Sequence, residues 1–174
     1  MEKRIFCDTN IYIDLCTMRL VGEFFMLPYE IHSTDLVLRE IELSNQKETI
    51  LSVMKMGKLE INQTLPECIN DVVNLMKSNL SITDAAVWYH AKQQSALLLT
   101  GDNRLRKLAE ADNVHVAGIL FVLDSLVEND IISAGYAAEC LELLKETNRR
   151  LPQAEVDKRL REWTQIKEGD DSVD

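Results

Sequence analysis

The chain has 174 residues, a mass of 19.9 kDa and 46% hydrophobic content, which fits one folded domain with room for a small appendage. Its net charge of −10 and pI near 4.8 exclude a nucleic-acid binder held by charge alone, since an acidic surface repels phosphate backbones. They leave room for a basic protein partner, and for a nuclease whose carboxylates, loaded with divalent metal, reverse their own local field.

In chain order, Arg4 to Cys7 is a short apolar run that predicts a buried strand. Ile11, Leu15 and Met18 then fall on one helical face. Val21 to Pro28 has no period and is expected to be a mobile loop. Glu30 to Ser33 is a second strand, leading into a helix through Leu36, Leu38, Ile41 and Leu43 that Ser33, Thr34 or Asp35 would cap. A further helix is expected over Gln46 to Met56, stopped by Gly57, then a strand at Leu59 to Ile61. Leu65-Pro66-Glu67 opens a helix carrying Ile69, Val72, Val73 and Met76. Ser81-Ile82-Thr83-Asp84 matches a capping box and starts a helix to about Gln94.

Ala96 to Leu99 is the next strand, followed by a basic helix from Asn103 to Ala111. Val114 to Val116 is the last strand candidate, and Gly118 to Val127 an apolar helix. Two helices, Ala134 to Leu151 and Gln153 to Trp163, close the chain. Strands alternating with helices predict an α/β fold, a mostly parallel sheet covered by helices on both faces. The expected organisation is an α/β domain over 1–132, a helical extension over 133–166 and a disordered acidic tail over 167–174.

Cys7, Cys16, Cys68 and Cys140 form no C-x-x-C pair, and His32, His90 and His115 fall in no Cys/His cluster. Reduced, mostly buried thiols are therefore expected, without a structural zinc site. No basic segment with an apolar core opens the chain, and the longest apolar stretch, Val116 to Leu123, is far too short to span a bilayer. A cytoplasmic protein without a membrane partner is expected.

The most telling feature is Asp8-Thr9-Asn10 directly behind the first strand. A buried strand that ends on a carboxylate delivers it to the sheet rim, where open α/β folds keep their sites. The strand at Ala96 to Leu99 ends the same way, in Thr100-Gly101-Asp102. Helix capping alone accounts for one such aspartate but not for the parallel arrangement of two. Asp84, at a helix start, is explained by its capping box, yet a helix start facing a cleft also suits a metal-site acid. The amide of Asn10 can orient the Asp8 carboxylate or hold a metal-bound water, and Thr100 places a hydroxyl near the same rim. Asp14 reads as a solvated helix face, and Glu40 by itself as a surface charge beside Arg39. Acids so placed suit Mg²⁺ or Mn²⁺, which prefer carboxylate and water ligands and can activate water at a phosphodiester.

Ile5-Phe6-Cys7-Asp8-Thr9-Asn10, Leu38-Arg39-Glu40-Ile41, Ile82-Thr83-Asp84-Ala85 and Leu98-Leu99-Thr100-Gly101-Asp102 together resemble the ordered acidic motifs of PIN-domain proteins. The resemblance covers roughly residues 3 to 128. It implies a PIN-like three-layer α/β/α fold and a Mg²⁺- or Mn²⁺-dependent endoribonuclease acting on single-stranded RNA. Asp8, Glu40, Asp84 and Asp102 would form the acidic quartet, with Asp8, Asp84 and Asp102 as metal ligands and Asn10 and Thr100 in support. Many members are toxins of toxin–antitoxin pairs, often dimeric, which implies an antitoxin partner and a homodimer. The stretch Gly118 to Ile132 resembles a branch with a helical C-terminal extension. Arg104, Arg106 and Lys107, just after Asp102, would meet the phosphates flanking the scissile bond; their bland reading is a solvated helix face.

Two alternatives compete. A haloacid-dehalogenase-like phosphatase resembles Asp-x-Asp, but Asn10 stands where its second acid belongs and cannot serve as general acid or base. A PIN-like scaffold that binds without cutting would use Tyr136, Ala137, Leu141 and Leu144 as its interface, unless those residues simply pack back onto the domain.

Overall fold

The central strand, β1 (Arg4–Cys7), places Ile5, Phe6 and Cys7 at full burial. Successive strand residues point to opposite faces, so three consecutive buried side chains mean that both faces of the sheet are covered. The computed structural model describes residues 4–42, 58–76, 79–148 and 150–170, with Glu48 and Ser52. Its sheet is entirely parallel and ordered β3-β2-β1-β4-β5, with β2 at Glu30–Thr34, β3 at Leu59–Asn62, β4 at Leu97–Leu99 and β5 at Val116–Ala117. β1 pairs β2 on one side (Ile5 opposite Ile31) and β4 on the other (Cys7 opposite Leu99). The chain thus leaves β1 towards one edge and later returns to its other side. The gap between β1 and β4 is the topological switch point, where open parallel sheets form their crevice.

Helices α1 (Thr9–Met18), α2 (Val21–Phe24) and α3 (Asp35–Glu42) flank the first two strands. After β3 come α4 (Ile69–Met76) and α5 (Ile82–Gln93), which opens on the expected capping box: Ser81 Oγ accepts from the Asp84 amide, and Asp84 accepts from the Ser81 amide. α6 (Asn103–Ala111) follows β4 and α7 (Ile119–Glu128) follows β5; α8 (Ala134–Thr147) and α9 (Gln153–Asp170) complete the chain.

Several boundaries differ from expectation. Val21 to Pro28 is not a loose loop: it carries α2, and Leu20, Val21, Phe24, Phe25 and Leu27 all enter the core. One turn of helix flanked by turns leaves no period to read. The last strand is Val116–Ala117, not Val114 to Val116, because Asn113 takes a positive φ and the Val114 amide returns to Ala109 to close α6. α8 stops at Thr147 instead of Leu151. α9 continues to Asp170, past the expected start of a disordered tail; 171–174 lie outside the described residues, as does nearly all of the helix expected over Gln46 to Met56.

One hydrophobic cluster runs from β1 into the extension, where Ala137, Leu141, Leu144, Val156 and Trp163 join it. The side chains weighed as a partner interface therefore pack back onto the domain, apart from half-exposed Tyr136. Arg159 of α9 grips Asp124 of α7 through two parallel bonds of 2.8 and 2.6 Å. All four cysteines are free, and Cys7, Cys68 and Cys140 are buried. His32 and His90 both stack on the Phe6 ring, in the interior. Because the core is shared, Leu144→Ala should cost about 2–5 kcal/mol and leave a single cooperative urea transition. Loss of the extension's far-UV signal ahead of the rest would contradict a shared core.

Candidate active site

Asp8 follows β1 directly, and its amide donates to the Leu99 carbonyl at the end of β4 (3.0 Å). It occupies the N-cap position of α1 with extended backbone, yet its side chain makes no cap hydrogen bond to the helix. The carboxylate instead faces the switch point. Oδ2 accepts from Thr100 Oγ1 (2.8 Å) and from Asn10 Nδ2 (3.2 Å). Thr100 in turn takes the Asp102 amide on its Oγ1 (3.0 Å), so its hydroxyl is committed to donating towards Asp8. The two strand ends are thereby tied across the rim.

Asp8 is only 1% exposed. Burial, and next the negative charge of Asp84, push its carboxyl up to about 6, against the hydrogen bonds of Thr100, Asn10 and the Thr9 amide. Asp84 is also raised, first by burial and further by Asp102 and Glu40, while its bonds to Ser81 pull the other way. Asp84 thus stands within electrostatic reach of Asp8, Asp102 and Glu40, near the rim where β1 and β4 end. Glu40 reaches it from α3, accepting from Thr9 Oγ1 at 2.6 Å. Of its neighbours, Asp35 is held elsewhere by the Thr64 amide (2.9 Å), and the side chain of Glu42 lies outside the described residues. Asp102 does cap α6, its Oδ1 accepting from the Arg104 and Leu105 amides at 2.8 Å each, which leaves Oδ2 over.

Among the described residues no three His, Cys, Asp or Glu side chains stand close enough to hold a metal ion as they are. The chemistry of the rim nevertheless fits a hard cation. Its donors are all carboxylate, hydroxyl or amide oxygens, and two of its acids carry like-charge penalties that a cation would relieve.

The basic residues after Asp102 divide. Arg104 and Lys107 are exposed on α6. Arg106 folds back, its guanidinium donating to the Val116 and Thr100 carbonyls (3.3 and 3.4 Å) and lying 3.5 Å from Glu110. Gly118 makes room for it, since a Cβ there would sit 3.1 Å from Arg106 Nη2.

One acid departs from the sequence expectation. Asp14 is not a solvated face but 7% exposed, and both its oxygens accept from Asn148 Nδ2 (3.1 and 3.0 Å). Burial pushes it up to about 6, opposed by Asn148 and Arg150 and reinforced by Asp8. The signal was present: Asp14 lies three residues after Ile11 and four before Met18, within the apolar stripe of α1. Two adjoining cavities, of about 460 and 370 Å³, lie between this rim and the chain after α8, and both are lined by Asp14, Gly101, Asn148 and Arg150.

A parallel α/β sheet whose switch point carries a rim of carboxylates defines a class of folds with an acidic site between β1 and β4. The PIN domain family model (DUF3368) matches residues 4–165, and the chain belongs to that family. Its fold is similar to that of PAE2754 from Pyrobaculum aerophilum (15% identity, TM-score 0.54, 74% of this chain and 99% of that one). A second similar structure is VapBC2 from Rickettsia felis, bound to a DNA fragment from its promoter (18% identity, TM-score 0.46, 66% of this chain and 98% of that one). No curated protein matches the chain.

Because Asp8 sits near 6 in the fold and at the ordinary 3.8 when unfolded, the native chain binds more protons between those values, and stability falls as pH rises through that window. The gap of about 2 pH units corresponds to about 3 kcal/mol once Asp8 is fully ionised. In metal-free buffer Asp8→Asn should therefore raise the unfolding free energy by about 1–3 kcal/mol near pH 8 and by nothing near pH 4. Urea titrations at the two pH values check this; destabilisation at the higher pH would mean that Asp8 is a net structural contributor.

Proposed function

We propose that the protein is a Mg²⁺- or Mn²⁺-dependent endoribonuclease that cuts single-stranded RNA at the β1–β4 rim. The observation that carries this reading is Asp8: a carboxylate buried at the end of β1, held by Thr100 and Asn10 without a side-chain cap bond to α1, and beside the negative charge of Asp84. Asp8, Asp84 and Asp102 would hold the ion, with Glu40 completing the acidic quartet. When bound, the ion supplies an activated water and neutralises charge on the phosphodiester. Thr100 and Asn10 hold Asp8 in a fixed orientation, and the Asp102 amide fixes Thr100. Arg104 and Lys107, exposed one turn beyond Asp102, are available to flanking phosphates, whereas Arg106 is engaged with backbone carbonyls and braces the rim.

The rival readings fit less well. An inactive scaffold gains nothing from an ionised carboxylate in the interior, since the same fold without it would be more stable. A phosphatase of the haloacid-dehalogenase type needs a second acid at Asn10, whose amide already donates to Asp8 and cannot exchange a proton. A toxin's role, with an antitoxin partner and a homodimer, rests on the family resemblance alone. Among the described residues no helix is long and apolar enough to cross a membrane.

RNA cleavage with Mn²⁺ should be abolished by chelation and fall by at least about 100-fold in Asp8→Asn. Equal cleavage by the wild type and Asp8→Asn would assign the activity to a contaminant.

A further inference from the structure

The larger cavity beside the rim is used by none of the four acids, yet it touches their machinery through Thr100, whose hydroxyl holds Asp8. Its walls are of two kinds. One is apolar and comes from the start of α7 and from the chain entering α9: Ile119, Leu120, Leu151 and Pro152. The other is polar, with Arg106 from α6 and Arg150 from the α8–α9 connection, and Asp14 and Asn148 between them. The volume of about 460 Å³ lies within the range of small-ligand sites.

The α8–α9 connection is fixed to the rim. Asn148 ends α8, gives its amide to Asp14, and takes the Arg150 backbone amide on its own side-chain oxygen (3.0 Å). Arg150 is exposed, and the negative charge of Asp14 is felt between the two residues. The first turn of α7 lines the same space, and its N-cap, Gly118, brings no side-chain acceptor to its amides. An apolar wall next to the exposed Arg150, with Arg106 engaged by backbone carbonyls, matches the two halves of a nucleotide: a base against Ile119, Leu120 and Leu151, and a phosphate towards Arg150.

We propose that this cavity is a nucleotide subsite, taking one base and phosphate of the RNA strand beside the scissile bond, and that Arg150 of the C-terminal extension is the residue that holds the phosphate. The inference rests on the nuclease reading for the strand that fills the cavity, but the cavity can be tested without cleavage. Helix α8 was expected to run through Leu151; its end at Thr147 leaves Asn148, Arg150, Leu151 and Pro152 to form this wall.

The test is equilibrium binding of a labelled eight-nucleotide single-stranded RNA in EDTA, by the wild type, Arg150→Gln and Arg161→Gln. Arg161 is exposed on α9 away from both cavities and controls for the loss of one positive charge. Arg150→Gln should weaken binding by about tenfold while Arg161→Gln stays within about twofold. In Mn²⁺, Arg150→Gln should raise KM at the same cleavage sites. Equal loss in both variants, or no RNA binding by the wild type, overturns the subsite. Binding of 5′-AMP or 5′-CMP that depends on Arg150, without an effect on RNA, also overturns it, in favour of a free-nucleotide site. If RNA binding depends on Arg150 but the wild type never cleaves, the subsite stands and the nuclease reading fails. If the wild type cleaves and Arg150→Gln cleaves with unchanged KM, the reverse holds.

Discussion

The hydrogen bond from Thr100 to Asp8 is the contact on which the rest of the site depends. It joins the residue after β1 to the residue after β4, two strands far apart in the chain and adjacent in the sheet. A carboxylate in that place meets little water and the like charge of Asp84, and the donors Thr100 and Asn10 offset part of that penalty. Thr100 is oriented by the Asp102 amide, and Asn10 by the first turn of α1. The backbone bond from Asp8 to Leu99 then sets the register that brings all of them together.

The remaining acids have second occupations. Asp102 caps α6 and Asp84 closes a capping box, so each is accounted for structurally by one oxygen while the other is left to the rim. The bland and the functional readings of these residues are thus not exclusive. Helix starts hold carboxylates with backbone amides at little conformational cost, and parallel sheets place helix starts along the edge where strands end. Asp8 differs because it gives up its cap bonds, which is why it alone carries the argument for chemistry.

The strands and the aspartates behind β1 and β4 were legible because both depend on local signals: continuous apolar runs for doubly covered strands, and Asp8 and Asp102 just past their ends. β1 and α6 fall on their expected residues. What escaped depends on contacts distant in sequence. Asp14 looked solvated because its partner, Asn148, lies beyond the whole α/β domain. α8 looked longer because residues 148 to 151 are compatible with a helix, and only Pro152, which disfavours helix in the residue before it, hinted at an earlier end. α2 was lost because a single turn has too few residues to show a period.

The extension resolves the conflict between an acidic chain and a proposed RNA substrate. Net charge governs long-range encounter, but contact energies are set within a Debye length of the groups that touch. Around the rim, Arg104, Lys107 and Arg150 come from α6 and from the α8–α9 connection, while part of the negative charge lies at the far end of α9 and beyond. A PIN domain that ended after α7 would keep the four acids but lose Arg150, Asn148 and the apolar wall of Leu151 and Pro152. It would also strip Asp14 of its donor Asn148 and of the segment packed over it. The acid on α1 and the amide at the end of α8 therefore make sense only together, and they place the extension at the site rather than beside it.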